Sequence, residues 1–331
     1  MTLDTDYLAG KRVLVTGGAG AIGSTLVGTL ARLDSKVTII DDLSASQRWT
    51  VPEHPNVDFI EGSILDEQAL RQAFSSRPEF VYHLAALFAN QNSVDHPETD
   101  LMVNGMGTLR VLEFANVAGV ERVMYASSGC SIYGAGAPLP LTEGFMSDQL
   151  STPYQITKML GELYANFFHN HYDLSIVRTR FFNSFGPGEV PGPYRNVIPN
   201  FVYWAMNQQP LPITGSGEET RDWTYVGDIV DGLLRAATTP EADGEAINLA
   251  SGKETRVIDM ANMVNELTEN PAGIDWRERR KWDHHSRLLG SVTKAGEVLG
   301  YKPTTEFPEG LENTVLWFRE NWDRIKETTR F

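Results

Sequence analysis

Buried strands and amphipathic helices alternate along the first half of this chain. Apolar runs at Lys11–Thr16, Lys36–Asp41, Val57–Glu61 and Phe80–Leu84 are short and rich in Val, Ile, Leu and Phe, which predicts strands. Ser24–Leu33 and a stretch from about 66 to 74 place apolar residues at helical spacing. Asn104-Gly-Met-Gly-Thr108 is expected to open a helix through Val117, and Arg122–Ser127 reads as a fifth strand. This alternation predicts an α/β fold built on a doubly wound parallel sheet. Farther on, Ala246–Ala250 reads as a strand returning to that sheet and Val257–Leu267 as a helix. The smaller second region is therefore expected to be interleaved with the sheet. Near the end, Leu311, Val315 and Phe318 fall at helical spacing and are expected to be core.

Composition narrows the class. A chain of 331 residues accommodates one large α/β domain with a smaller appendage. No apolar run is long enough to cross a bilayer, and the acidic start Met1-Thr-Leu-Asp-Thr-Asp6 predicts no secretory leader. The single cysteine, Cys130, excludes an internal disulfide and fits a reducing cytoplasm. A net charge of -15 argues against a general nucleic-acid surface, yet a few arginines can still make a local pocket for an anion. No internal repeat or low-complexity segment is apparent.

Candidate chemistry starts at the first turn. Thr16 is followed by Gly17-Gly-Ala-Gly20-Ala21-Ile22-Gly23 and then by helical sequence, the strand, glycine turn and helix context of a dinucleotide site. Gly17 would permit the tight turn, Gly20 the approach of a pyrophosphate to the helix N-terminus, and Gly23 the packing of helix on strand. Asp41 closes the second strand, where a carboxylate would bind an adenosine ribose and repel a 2′-phosphate, and Asp42 adds to the repulsion. The expected cofactor is NAD, and a reductase using NADPH is disfavoured. Tyr154 and Lys158 stand four apart in helical sequence, so both side chains share one face. A phenol titrates near ~10, and a nearby cation favours the phenolate, which would make Tyr154 a usable base.

These segments, together with His83-Leu-Ala-Ala86, Asn104 with Gly107-Thr108, and Ser127-Ser-Gly-Cys-Ser-Ile-Tyr-Gly134, resemble the extended short-chain dehydrogenase/reductase family. Within it the chain is similar to the NAD-dependent nucleotide-sugar epimerases and dehydratases, whose familiar member is UDP-galactose 4-epimerase. The resemblance spans almost the whole chain. It implies a Rossmann-like NAD-binding domain at 1–180, a returning segment at about 221–250, and a nucleotide-sugar region mainly at 181–331. It also implies cofactor contacts from Gly17, Gly20, Ala21, Ile22, Gly23, Asp41, Asp42, Ser63, Ile64, Leu84, Ala85, Ala86, Asn104, Ser127 and Phe181, besides Tyr154 and Lys158. Arg178-Thr-Arg-Phe-Phe-Asn183 resembles the strand and loop whose Asn contacts the nucleotide diphosphate. Arg221-Asp-Trp and Arg280-Lys-Trp-Asp283 resemble segments whose arginines pair with its phosphates, a role that suits the guanidinium fork. The family further implies a homodimer through helices near 104 to 117 and 155 to 170.

The implied reaction begins with Tyr154 taking the proton from a sugar hydroxyl, usually O4, as the adjacent carbon is oxidised, with Lys158 in support. The 4-ketosugar so formed leads to 4-epimerisation, to 4,6-dehydration or to decarboxylation. Counting back from Tyr133-Gly134, the usual catalytic Ser or Thr falls on Gly129, so Ser128, Ser131 or a water is expected to supply the hydroxyl. By the same resemblance, 4,6-dehydratases carry Asp-Glu at the next two positions and decarboxylases commonly Glu at the second, where this chain has Cys130 and Ser131. That favours 4-epimerisation of a nucleotide sugar, with a UDP-hexose as the expected substrate. The alternatives are a dehydratase or decarboxylase, a 3,5-epimerase using Cys130, and a non-enzymatic NAD-binding protein. Cys130 also stands as a substrate contact or a small buried thiol. No metal site is expected: His83 reads as structural, and His284 and His285 lie near Arg280 without further ligands in sight.

Overall fold

The computed structural model describes residues 6–134, 136–283 and 286–331. Its centre is a seven-stranded parallel sheet made of β1 (Arg12–Thr16), β2 (Lys36–Asp41), β3 (Val57–Glu61), β4 (Phe80–His83), β5 (Arg122–Ser128), β6 (Ile176–Phe181) and β11 (Ala246–Leu249), in the order β11-β6-β5-β4-β1-β2-β3. The chain runs outward from β1 through β2 and β3, then returns to pair β4 with the other side of β1. That reversal opens a crevice beyond the C-terminal ends of β1 and β4, the usual ligand site of such sheets.

Helices cover both faces. On one, α1 (Ala21–Arg32), α8 (Val226–Thr238) and α10 (Thr293–Leu299) pack on Val13, Val15, Ile39 and Val177. On the other, α2 (Glu67–Phe74), α5 (Thr108–Ala118) and α6 (Pro153–Tyr172) pack on Leu14, Ile40, Val81 and Tyr125. Leu26, Val27, Leu30 and Ala31 of α1, buried with Gly23 and Ser24, make one apolar stripe against the sheet.

A second core is built from α7 (Val197–Met206), β8 (Leu211–Thr214), α9 (Val257–Leu267), β13 (Ile274–Arg277), α11 (Phe307–Glu320) and α12 (Trp322–Thr328). Leu311, Val315 and Phe318 lie fully inside it. Four short strands in two pairs lie between the two cores: β7 (Ser184–Phe185) pairs with β10 (Thr224–Tyr225), and β9 (Thr220–Arg221) pairs with β12 (Thr255–Arg256). The contribution of the later chain to the main sheet extends past 250, because Ala295, Leu299 and Tyr301 belong to the first core.

The expected helix from Asn104 is more complex than its pattern predicts. Two short helices, α3 (Asn90–Asp95) and α4 (Pro97–Asp100), come first, followed by a π-helical turn over Leu101–Gly107 that leads into α5. Pro97 is well placed at a first helical turn, and the glycines at 105 and 107 lower local helix propensity. No helix among the described residues is long and apolar enough to cross a membrane.

Candidate active site

The glycine turn follows β1 at the crevice. Gly17 adopts φ +74°, and a Cβ there would lie 2.7 Å from the Ala85 nitrogen. A Cβ on Gly23 would come within 2.2 Å of the Gly17 oxygen, so helix and turn touch directly. Gly20 differs: a Cβ would meet only the Gly17 oxygen, at 3.3 Å. The side-chain space at Gly20 thus opens outward from the N-terminus of α1, the geometry a pyrophosphate requires. Asp41 is buried and accepts bonds from Ala19 N and Leu43 N, both at 2.9 Å, and from Ser46 Oγ at 2.8 Å. It therefore ties the β2 end to the glycine turn. Asp42 is exposed and accepts from Ser44.

Other expected cofactor residues divide into those that line the crevice and those that shape it. Leu84, Ala85 and Ala86 continue from β4, half-buried, beside Gly17, and Phe181 ends β6 in the same state. Ser63 is half-buried and caps its own turn through Leu65 N. Ile64 is core, and its Cδ1 lies where a Cβ on Gly107 would fall. Asn104 accepts from Leu87 N at 2.8 Å and donates to Leu87 O at 3.1 Å, so its side chain holds the 84–88 loop. The Ser127 hydroxyl is directed beneath the sheet at Glu162, 2.5 Å away, leaving only its backbone for the crevice.

Tyr154, Lys158 and Glu162 lie at successive i, i+4 positions of α6 and all three are buried. Thr152 caps this helix and Pro153 occupies its first turn. Close approach to β5 depends on Gly161, where a Cβ would overlap the Tyr125 hydroxyl at 2.0 Å. Glu162 grips Arg180 of β6 with two bonds of 2.9 and 2.7 Å, and Arg180 also donates to Tyr133 and to Glu143 O. Tyr133 in turn donates to Asn248 of β11 at 2.7 Å. This buried chain fixes α6 and the 128–134 loop against three strands, and with them the candidate catalytic side chains.

Lys158 Nζ donates to Ala126 O at 2.9 Å and lies 5.7 Å from the Tyr154 ring centroid. Burial pulls its pKa down to about 8, with the charge of Asp100 opposing. Burial pushes the Tyr154 phenol well above its ordinary value, Asp100 and Cys130 add to this, and the facing hydroxyl of Ser128 offsets part. The expected depression of the phenol by Lys158 is thus outweighed by loss of water. Asp100 was not singled out from the sequence. It is fully buried, with Thr157 Oγ1 at 2.7 Å and Asn104 Nδ2 at 2.6 Å on its carboxylate. His83 bridges Thr16 and Thr108 at 2.7 and 3.0 Å, and burial, with Lys158 adding, pulls it down to about 3. It is a neutral structural link.

The structure accounts for Gly129. A Cβ there would fall 2.0 Å from Cε2 of Phe182, a fully buried ring that also sits against Gly290. The usual hydroxyl position is filled by protein. The neighbouring Ser128 carries a buried hydroxyl that donates to Ser131 Oγ at 2.9 Å. The Cys130 thiol lies beside this pair, accepts the Asn183 N–H at 3.2 Å, and is pushed up to about 12 by burial.

Across the cleft, Asn183 donates to Asp222 O at 3.1 Å, and Asp222 holds Ser251 N, Gly252 N and Gly290 N. The adjacent Arg221 is half-buried, with Asp283 3.5 Å away. Arg280 is exposed, and its guanidinium lies 5.7 Å over the Trp282 ring. His284 and His285 lie outside the described residues. Among the described residues, no group of three or more His, Cys, Asp or Glu is placed to hold a metal ion.

Residues 13–250 match the NAD dependent epimerase/dehydratase family. The chain is 34% identical to a UDP-glucose 4-epimerase of Mycolicibacterium smegmatis, over 93% of this chain and 98% of that one. It is 30% identical to a UDP-N-acetyl-α-D-glucosaminuronate decarboxylase of Bacillus cytotoxicus, over 94% and 98%. Its fold superposes on the structure of the epimerase Mth375 from Methanothermobacter thermautotrophicus with a TM-score of 0.98, at 58% identity and with 99% and 97% of the two chains covered. With its glycine turn, acidic β2 end and Tyr–Lys helix set on a parallel sheet, the chain belongs to the NAD-dependent epimerase/dehydratase family of nucleotide-sugar enzymes.

Proposed function

We propose that the protein is a nucleotide-sugar 4-epimerase acting on a UDP-hexose through a transient 4-ketosugar. The carrying observation is the set of groups around Tyr154: hydroxyls from Ser128 and Ser131 and the thiol of Cys130, with no carboxylate in the loop from 127 to 134. Dehydration and decarboxylation need further acid–base or carboxylate-handling groups at that loop, whereas epimerisation needs one base and room for the ketosugar to turn. Bound NAD supplies the hydride acceptor and donor and a positive ring.

Tyr154 removes the O4 proton and later returns it. A phenol raised by burial requires positive charge nearby to ionise, and the Lys158 ammonium provides it. Ser128 faces the phenol and hands its hydrogen bond on to Ser131, so the reacting oxygen has a hydroxyl partner without a side chain at 129. Arg221 and Arg280 hold the diphosphate, with Asn183 beside them. The thiol of Cys130, at about 12, stays protonated at neutral pH, which disfavours 3,5-epimerisation through it.

We also propose a cytoplasmic homodimer. Leu101, Met102, Met106 and Val117 are exposed around α5, as are Ile156, Leu163 and Phe167 on the face of α6 opposite Tyr154. Two such faces pair as a four-helix bundle. A monomer by light scattering would remove this claim. The catalytic reading is tested with Tyr154→Phe: loss of turnover with an unchanged melting curve is expected, and full activity would refute it.

A further inference from the structure

The stretch from 279 to 283 reaches both halves of the cleft. Trp282 Nε1 donates to Gln91 Oε1 at 2.8 Å, joining residues 191 positions apart. Ser151 Oγ donates to Trp282 O at 3.4 Å. Both partners border the reacting tyrosine: Ser151 lies just before Tyr154, and Gln91 follows Phe88, whose ring stands edge-on to Tyr154 at 5.9 Å. Gln91 is itself steadied by donating to Asp95 at 2.9 Å. On the far side, Asp283 faces Arg221 at 3.5 Å, and Arg279 spans Glu219 and Asp283 at 3.7 and 3.8 Å. The Arg280 guanidinium rests over the Trp282 ring. One short strap therefore connects the two candidate phosphate arginines with the wall of the reaction centre.

We propose that this strap is a gate for the nucleotide, and that the Trp282–Gln91 bond is its latch. The identity of the gated ligand rests on the nucleotide-sugar reading, whereas the latch does not. Asp283 offers Arg221 the same anionic chemistry as a diphosphate, so phosphate binding competes for that contact. Once Arg221 turns to phosphate, the Trp282–Gln91 bond carries more of the strap's hold on the Tyr154 side. Release of the nucleotide then requires the latch to break. Trp282 and Gln91 act here as positioning residues, remote from the reacting atoms.

Trp282→Phe removes the indole donor while keeping a smaller aromatic ring beneath Arg280, and Gln91→Leu removes the acceptor together with the bond to Asp95. Amide hydrogen exchange is read at 279–283 and at 88–93 in the full-length protein, and UDP release is followed by stopped-flow fluorescence. Each single variant is expected to raise exchange in both segments together and to speed UDP release about three- to tenfold, the factor of one neutral hydrogen bond. The double variant is expected to fall short of the sum of the two singles, since the bond between the two residues is lost only once. Exchange rising in only one segment, additive effects, or an unchanged release rate would each overturn the gate. Failure of wild-type protein to bind UDP overturns the gate as stated, while the exchange data still judge the latch. Product identity, on which the 4-epimerase reading depends, plays no part in either readout.

Discussion

Restoring the usual hydroxyl at 129 is predicted to harm this protein. In Gly129→Ser the new Cβ would lie 2.0 Å from Phe182 Cε2, 2.5 Å from Cδ2 and 2.6 Å from Cζ, all far inside van der Waals contact. The ring has little room to yield, since it is fully buried against Tyr133 at 6.3 Å and against the Gly290 backbone. Overpacking of this kind costs ~1–3 kcal/mol, and the upper end applies where a ring cannot move. Replacing glycine returns ~0.4–1 kcal/mol by restricting the unfolded chain, which leaves a net loss of about 2 kcal/mol. At ~2 cal/mol/K per residue over 331 residues, the melting temperature should drop by about 3 °C. Phe182→Leu removes Cε2 and Cζ, so the serine should cost at least ~1 kcal/mol less in that background, a coupling that a double-mutant cycle by denaturant melts detects. A Gly129→Ser protein as stable as the parent, or strictly additive effects, would refute the filled-pocket explanation. Turnover should not rise in Gly129→Ser if, as proposed, Ser128 supplies the hydroxyl partner of Tyr154.

Three further outcomes are expected. Lys158 at about 8 sits below its ordinary value, so the unfolded chain binds that proton more tightly, and stability should rise with pH between about 8 and ~10.5. Lys158→Met should therefore raise the melting temperature at pH 7 while abolishing turnover, and wild-type turnover should decline as pH rises through about 8; a flat profile from pH 7 to 9 would contradict this. Glu162→Gln leaves the Arg180 guanidinium buried without its counter-charge and should cost ~3–5 kcal/mol in urea melts, with turnover falling even where the protein stays folded. Cys130→Ala should keep most activity and Cys130 should react slowly with iodoacetamide, since its thiol is pushed up to about 12; rapid alkylation with loss of turnover would restore it as an acid–base candidate.

Local pattern carried much of the fold because buried parallel strands are short apolar runs whose neighbours are set by topology. Asp41, Gly17 and Gly23 were legible for the same reason: each answers a demand made within the turn that contains it. Contacts between distant segments were not legible. The Glu162–Arg180 pair joins helix to strand, Phe182 reaches back to Gly129, and Trp282 finds Gln91 across 191 positions. Asp100 had no signal at all in the pattern, since its role arises only when the π-helical turn brings Asn104 beneath it and packs Thr157 from α6 beside it. The expected fall in the Tyr154 pKa failed on burial, a quantity that i, i+4 spacing does not contain.

The product formed separates 4-epimerisation from dehydration and decarboxylation. Purified protein is incubated with UDP-, dTDP-, CDP- and GDP-sugars, and the anomeric and C6 protons are followed by NMR. Interconversion of UDP-glucose and UDP-galactose from either direction, with no net change in the cofactor, is the predicted result. A 4-keto-6-deoxy sugar or a decarboxylated pentose as the product would contradict it.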